Sequence, residues 1–186
     1  MRRTLVVMAV VGAGLSLTLA QPASAEETTC VGAIGAVTVD NLRVPEGATC
    51  ILEGTHVQGT IKVERAASLQ ASNVTVIGNV QAENASDVRV AQGSTVGGSV
   101  QVVKGQAASV ADSTITGDIL YDENSGALSA ERNHVGGNIQ AFKNTGGLII
   151  SGNRVDGNLQ CKENQPPPTG GENIVQGNKE DQCARL

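Results

Sequence analysis

The amino-acid sequence predicts an all-β protein: a right-handed parallel β-helix of about seven coils of 19–20 residues, closed at each end by a disulfide. Three observations lead there. A G-N-x-Q motif recurs along the chain: Gly59-Thr60-Ile61-Lys62, Gly78-Asn79-Val80-Gln81, Gly98-Ser99-Val100-Gln101, Gly117-Asp118-Ile119-Leu120, Gly137-Asn138-Ile139-Gln140, Gly157-Asn158-Leu159-Gln160 and Gly177-Asn178-Lys179-Glu180. Successive glycines lie 19, 20, 19, 20, 20 and 20 residues apart, and fixed self-similarity at such a period marks a solenoid. Apolar and polar residues alternate inside each repeat, the period-two pattern of a strand with one buried face. The four cysteines form two pairs, 20 and 22 residues apart.

Taken in order, residues 1–25 read as a secretory leader. Arg2 and Arg3 open it, an apolar stretch runs from Leu5 to Ala20, and Ala23-Ser24-Ala25 is a small-residue cleavage site. The apolar run is short for a membrane anchor and no second one follows. The Arg2-Arg3 pair carries part of a twin-arginine export pattern. Residues 26–186 then form one repeat domain. The whole chain has 13 Lys and Arg against 18 Asp and Glu, a net charge of −5; removing Arg2 and Arg3 with the leader takes it to −7. Nucleic acid is not expected as a partner, because phosphate binding needs clustered cations.

Within each repeat three short strands are expected. The first follows the glycine, with Ile61, Val80, Val100, Ile119, Ile139 and Leu159 two positions after it and Val63, Ala82, Val102, Tyr121, Ala141 and Cys161 four after it. The second comes about ten residues on, as in Val88-Arg89-Val90 or Leu148-Ile149-Ile150. The third is a pair such as Thr95-Val96 or His134-Val135 that leads into the next glycine. An earlier coil is legible in Val37-Thr38-Val39 and Leu42-Arg43-Val44. No apolar spacing of 3.6 persists, which excludes helical repeats. The six-residue step of a left-handed β-helix is absent too. Glycine and asparagine suit the left-handed backbone of tight corners. Seven coils at the strand spacing make a rod of roughly 30–35 Å.

Cysteines one coil apart stack at neighbouring-strand distance, about 4.8 Å, inside the usual Cα separation of a disulfide. The pairs Cys30–Cys50 and Cys161–Cys183 follow, one at each end. A zinc site is the alternative, but no Cys-x-x-Cys occurs. Pro166-Pro167-Pro168 and the charged tail Lys179-Glu180-Asp181 suit the capping that solenoid ends require.

Several columns carry polar residues. After the glycine come Thr60, Asn79, Ser99, Asp118, Asn138, Asn158 and Asn178, of which Asn79, Asn138, Asn158 and Asn178 read as a structural amide ladder. Asn133, Asn153 and Asn173 have the same explanation, and Asn124, Asn144 and Asn164 read as a turn. Gln81, Gln101, Gln140 and Gln160 face outward; such a ladder either binds a repeating ligand or is a solvated face. A strip of charge follows five and six residues after the glycine. Its Glu83, Lys104, Asp122, Glu123 and Lys143 are the candidates for a lyase-like site, with carboxylates holding calcium and a lysine taking a proton. Alternating signs also build an ordinary soluble surface. His56 and His134 share a column four coils apart, too far to share a metal. Thr75, Thr95 and Thr114 stack, but the histidines and Arg154 interrupt them. Tyr121 and Phe142 are the only aromatics and fall in adjacent coils, where a small patch is possible.

The C-terminal run Gly157-Asn158-Leu159-Gln160-Cys161-Lys162-Glu163-Asn164, then prolines, then Gly177-Asn178-Lys179-Glu180-Asp181-Gln182-Cys183 resembles the ending of small exported actinobacterial β-helix repeat proteins of uncharacterised function. The resemblance covers most of residues 26–186. It implies an actinobacterial origin and export, adds support to the Cys161–Cys183 bridge, and brings no active site.

The reading that follows is an exported, extracellular, non-catalytic structural or binding protein with no cofactor. It presents a polar sheet to cell-wall or extracellular polysaccharide or to another envelope protein. The alternative is a polysaccharide-degrading enzyme working with calcium.

Overall fold

The computed structural model describes residues 26–186; the expected leader lies outside the described residues. Each coil gives one strand to each of three parallel sheets. Ile61–Val63, Ser68–Ser72 and Thr75–Val76 make one such coil. The first sheet has nine strands and the other two have eight each. Register follows the repeat: Val80 lies between Ile61 and Val100, and Val96 between Val76 and Ile115. The result is a parallel β-solenoid with no helix among the described residues.

The coil count is about eight, one more than the glycine spacing predicts. The added coil is N-terminal: Glu27–Thr29, Gly32–Ile34 and Thr38–Val39. It carries no G-N-x-Q motif, and Glu27 pairs with Asn41 only 14 residues on, so it is invisible to a 20-residue period. Nine strands at about 4.8 Å make a first sheet roughly 38 Å long.

The lumen is filled by the apolar columns. Leu42, Ile61, Val80, Val100, Ile119, Ile139 and Leu159 are each at most 1 % exposed. Leu52, Ala71, Val90, Val110, Ala130 and Ile150 face them from the second sheet, and Val57, Val76, Val96, Ile115, Val135 and Val155 from the third. Tyr121 is the one large intrusion: it is fully buried and donates its hydroxyl to the Ser129 carbonyl at 2.7 Å. Burial pushes that phenol well above its usual titration range. The expected aromatic patch therefore does not form, because Tyr121 points inward while Phe142 lies on the outside of the first sheet.

Stacking depends on one device that joins the repeat glycine to the residue after it. The backbone N–H of that residue donates to the side-chain oxygen of its equivalent one coil earlier. Ser99 N–H reaches Asn79 Oδ1 at 2.8 Å, Asp118 N–H reaches Ser99 Oγ at 3.0 Å, and Asn138 N–H reaches Asp118 Oδ1 at 2.6 Å. Asn158 and Asn178 continue the column, both at 2.8 Å. It begins at Asn41, which accepts from Thr60 at 3.0 Å, two coils before the first Gly-Asn pair. What the column conserves is an acceptor oxygen, so Thr, Ser, Asp and Asn all serve. The amide-to-amide bonds expected of the asparagines are secondary, as at Asn158 Nδ2 to Asn138 Oδ1, 3.3 Å.

The glycine makes room for that oxygen. A Cβ built at Gly157 would sit 2.6 Å from both Asn138 Oδ1 and the Gly137 carbonyl, and one at Gly78 2.6 Å from Thr60 Oγ1. The left-handed corners lie elsewhere. They are occupied by Asn84, Lys104, Glu123, Lys143 and Glu163 between the first and second sheets, and by Gly54, Asn73, Gln92, Asp112, Arg132 and Gly152 between the second and third. The repeat glycine thus serves close approach, and the left-handed corners that glycine and asparagine suit are filled by other residues.

Two further amide ladders run inside the corners. Asn133, Asn153 and Asn173 are at most 6 % exposed, and Asn133 N–H and Nδ2 both donate to Asn153 Oδ1, each at 3.0 Å. Asn124, Asn144 and Asn164 form an equivalent buried ladder where the sequence indicated a turn. Asn144 Oδ1 accepts from Asn124 N–H and Nδ2 at 2.9 and 3.0 Å, and Asn144 Nδ2 donates to Asn164 Oδ1 at 2.8 Å. Gln182 from the tail ends the column, its Oε1 accepting from Asn164 N–H at 2.9 Å. Toward the N-terminus the same lining is made by Ala67, Ala85 and Gly105.

Both disulfides form as spaced, Cys30–Cys50 with Cα atoms 5.5 Å apart and Cys161–Cys183 with 5.2 Å. This disposes of the zinc alternative. Closing loops of 20 and 22 residues contributes about 3 kcal/mol each in a chain-entropy treatment. At the C-terminal end the bridge holds a tail whose Leu186 packs on the core and whose carbonyl accepts from Lys179 Nζ. Pro168 is buried there as well.

Three substitutions test this construction by chemical denaturation of the oxidised protein. Gly157→Ala is expected to lower stability by about 1–3 kcal/mol through overpacking. Gly35→Ala, where a Cβ meets nothing within 4 Å, is expected to be near neutral. Asn144→Ala removes the side-chain acceptor of the Asn124 backbone N–H and the amide that donates to the Tyr121 carbonyl, and is expected to cost about 1–3 kcal/mol.

Candidate functional site

The outward face of the first sheet collects most of the residues singled out from the sequence. Because the strands are parallel and in register, position in the repeat becomes position on the face. One column runs Arg43, Lys62, Gln81, Gln101, Leu120, Gln140, Gln160 and Glu180 along the solenoid axis. The four glutamines are therefore aligned but not continuous, since Leu120 splits them into pairs.

The two pairs differ chemically. Gln140 Nε2 donates to Gln160 Oε1 at 2.8 Å, and Gln160 Nε2 donates on to Glu180 at 2.9 Å, so this half of the column is self-satisfied. Gln81 Nε2 lies 3.5 Å from Gln101 Oε1, beyond the usual 2.7–3.2 Å of a firm bond.

The lyase-like candidates fall in two columns. Glu83 and Asp122 share one with Val103 between them, so the two carboxylates sit two coils, or roughly 10 Å, apart. Lys104, Glu123 and Lys143 occupy the left-handed corner beside it, at φ of 55°, 56° and 53°. Lys143 Nζ pairs with Glu123 at 3.7 Å. The charged strip is thus a corner column whose alternating signs let neighbouring coils attract. The other corner does the same more tightly: Arg132 binds Asp112 through two bonds of 2.7 and 2.8 Å. The hydrogen bond from Arg132 holds the Asp112 carboxyl below its usual range. Among the described residues no three of His, Cys, Asp and Glu converge as metal ligands would.

Two recesses interrupt the face. The larger, a groove of about 500 Å3, is lined by Lys62, Glu64, Gln81, Glu83, Asn84 and Gln101, with Arg65 and Val103 at its margins and Val63 and Ala82 beneath. The smaller, about 270 Å3, surrounds Phe142 with Asp122, Lys143, Lys162 and Glu163. The lyase-like candidates are therefore divided: Glu83 lines one recess, Asp122 and Lys143 the other. Lys62 was not singled out from the sequence as a site residue. The signal for Lys62 was present, since it is the glutamine-column residue of the first motif.

The third sheet places His56, Thr75, Thr95, Thr114, His134 and Arg154 in one exposed column. His134 Nε2 lies 3.4 Å from Asp156, which also accepts from Gln176 at 2.7 Å. Only two residues per strand form this sheet, too narrow for a flat threonine array.

No protein family, curated protein or solved structure matches this chain. Among the described residues no helix is long and apolar enough to cross a membrane, which says nothing of a strand-built span.

Lys104 distinguishes a corner residue from a proton-transferring one. A left-handed conformation costs a non-glycine residue roughly 1–2 kcal/mol, and the larger entropy that glycine loses on folding offsets part of the relief. Lys104→Gly is therefore expected to raise the denaturation free energy by about 0.5–1 kcal/mol. It is also expected to leave any polymer retention unchanged.

Proposed function

We propose that this chain is an exported, non-catalytic β-solenoid that presents a regular polar sheet face to an extracellular or cell-wall polymer. One observation carries the reading. The first sheet aligns glutamines at strand spacing along a single axis, Gln81 beside Gln101 and Gln140 beside Gln160, with Leu120 between the two pairs. A ligand of repeating chemistry meets an amide at each of these four coils, so weak individual bonds add up. The two disulfides are compatible with an oxidising compartment outside the cytoplasm, and the leader-like residues 1–25 support export. An actinobacterial origin remains part of the proposal on the C-terminal resemblance alone.

The enzymatic alternative draws less support. A calcium-assisted lyase needs converging carboxylates and a base within reach of the same atom. Glu83 and Asp122 are held two coils apart, and Glu123 is engaged with Lys143.

The test is co-sedimentation of the oxidised, leader-free protein with bacterial cell walls and insoluble polysaccharides, measuring both protein retained and sugar released. Retention without release, unchanged by EDTA and by the Asp122→Ala, Glu123→Ala double variant, is the expected result. Release of oligosaccharide that EDTA abolishes would replace this reading with the lyase.

A further inference from the structure

We infer that the groove over Lys62, Gln81, Gln101 and Glu83 is the binding site for a neutral, hydroxyl-rich glycan chain. This rests on the polymer-binding reading of the face and assigns it a place and a ligand class. The first argument is shape. The groove follows the solenoid axis across three coils, between the outward column of Lys62, Gln81 and Gln101 and the neighbouring column of Glu64, Glu83 and Val103. Its floor is the inward-pointing pair Val63 and Ala82, and Ala82 is the smallest residue of its lumen column together with Ala141. An extended chain lies along such a channel and is not enclosed by it.

The second argument is unspent hydrogen-bonding capacity. Among the described residues the Lys62 ammonium, the Glu83 carboxylate and the Asn84 amide make no side-chain hydrogen bond or ion pair, and Gln81 and Gln101 hold each other only at 3.5 Å. The matching groups further along the column are consumed by the Gln140–Gln160–Glu180 chain. The polar face is therefore open at one end and closed on itself at the other.

Charge selects the ligand class. Glu64 faces Arg43 at 3.5 Å and Arg65 is paired with Glu46, which leaves Lys62 and Glu83 as the free charges of the groove. A uniformly anionic polymer meets Glu83 and a uniformly cationic one meets Lys62. Hydroxyl groups both donate and accept, so a neutral sugar chain satisfies the ammonium, the carboxylate and the amides together. An extended peptide is disfavoured for a different reason. The backbone N–H and C=O groups of this sheet are already paired to the coils on either side, so no strand can be added on the face.

The experiment measures binding of the oxidised, leader-free protein to soluble hexasaccharides of glucose, mannose and N-acetylglucosamine. A galacturonate hexamer and a glucosamine hexamer serve as charged controls. Saturable binding of at least one neutral hexamer is expected, weakened about tenfold or more by Glu83→Ala and by Gln101→Ala. Thr95→Ala with Thr114→Ala, on the third sheet, is expected to leave it within about twofold, and a Gln140→Ala, Gln160→Ala variant reports on the other half of the glutamine column. All variants are checked for an unchanged unfolding midpoint, since each residue lies on the outer face. Binding lost with the Gln140, Gln160 variant and kept with the others would overturn the location and leave the polymer-face reading standing. Preference for either charged hexamer would overturn the ligand class. Retention on insoluble polymers with no hexamer bound would overturn the groove alone, and no retention on anything would overturn both.

Discussion

Every coil of this protein must lie directly on the one before it, and at the start of the first sheet that contact runs through a side-chain oxygen. The backbone N–H after each repeat glycine has its acceptor on the preceding coil, in Asn41, Thr60, Asn79, Ser99, Asp118, Asn138 or Asn158. The oxygen occupies the space where a Cβ on the glycine would stand. Glycine and acceptor are two halves of one contact, which explains why they travel together along the sequence. An unmatched N–H at this half-buried corner costs about 1–3 kcal/mol, so registration of the whole stack depends on it.

The same logic governs the polar residues that look functional in isolation. In-register stacking brings each surface position to about 4.8 Å from its equivalents, so any polar column either bonds to itself or repels itself. Asn124, Asn144 and Asn164 bond to themselves inside a corner, Asp112 and Arg132 do so at the surface, and Gln140, Gln160 and Glu180 do so on the first sheet. A functional residue in a solenoid is best recognised where the column fails to satisfy itself. By that criterion Lys62, Gln81, Glu83 and Gln101 stand apart, while Glu123 and Lys143 belong to the architecture.

The cores of the two halves are built differently at equal repeat length. Near the N-terminus the corner linings are small, as at Ala67, Ala85 and Gly105, and near the C-terminus they are asparagines that carry their own hydrogen bonds. Tyr121 lies at the junction, filling the lumen where Ala108 and Ala130 on the second sheet are small. Close packing rather than aromatic mass holds the lumen together, with valine and isoleucine stacked on themselves from coil to coil.

Sequence alone determined the solenoid, its three-strand coil, the inward columns and both disulfides, because each of these follows from period: residues one repeat apart must touch. It also determined that Gln81, Gln101, Gln140 and Gln160 share a column. It found Thr38–Val39 but missed the two strands before it, Glu27–Thr29 and Gly32–Ile34, because the shorter connection of the first coil breaks the period. It placed Asn124, Asn144 and Asn164 at a turn but missed their ladder, because an asparagine at a corner looks the same whether its amide faces water or the neighbouring coil. Only the tertiary structure decided that Gln140 and Gln160 are tied to each other while Gln81 and Gln101 are not, and that Glu83 and Asp122 line separate recesses. Those distinctions rest on differences in side-chain distance of less than an ångström and on which neighbour is a glutamate, a leucine or a valine. A repeat describes every coil as the same, and the proposed groove depends on how the coils differ.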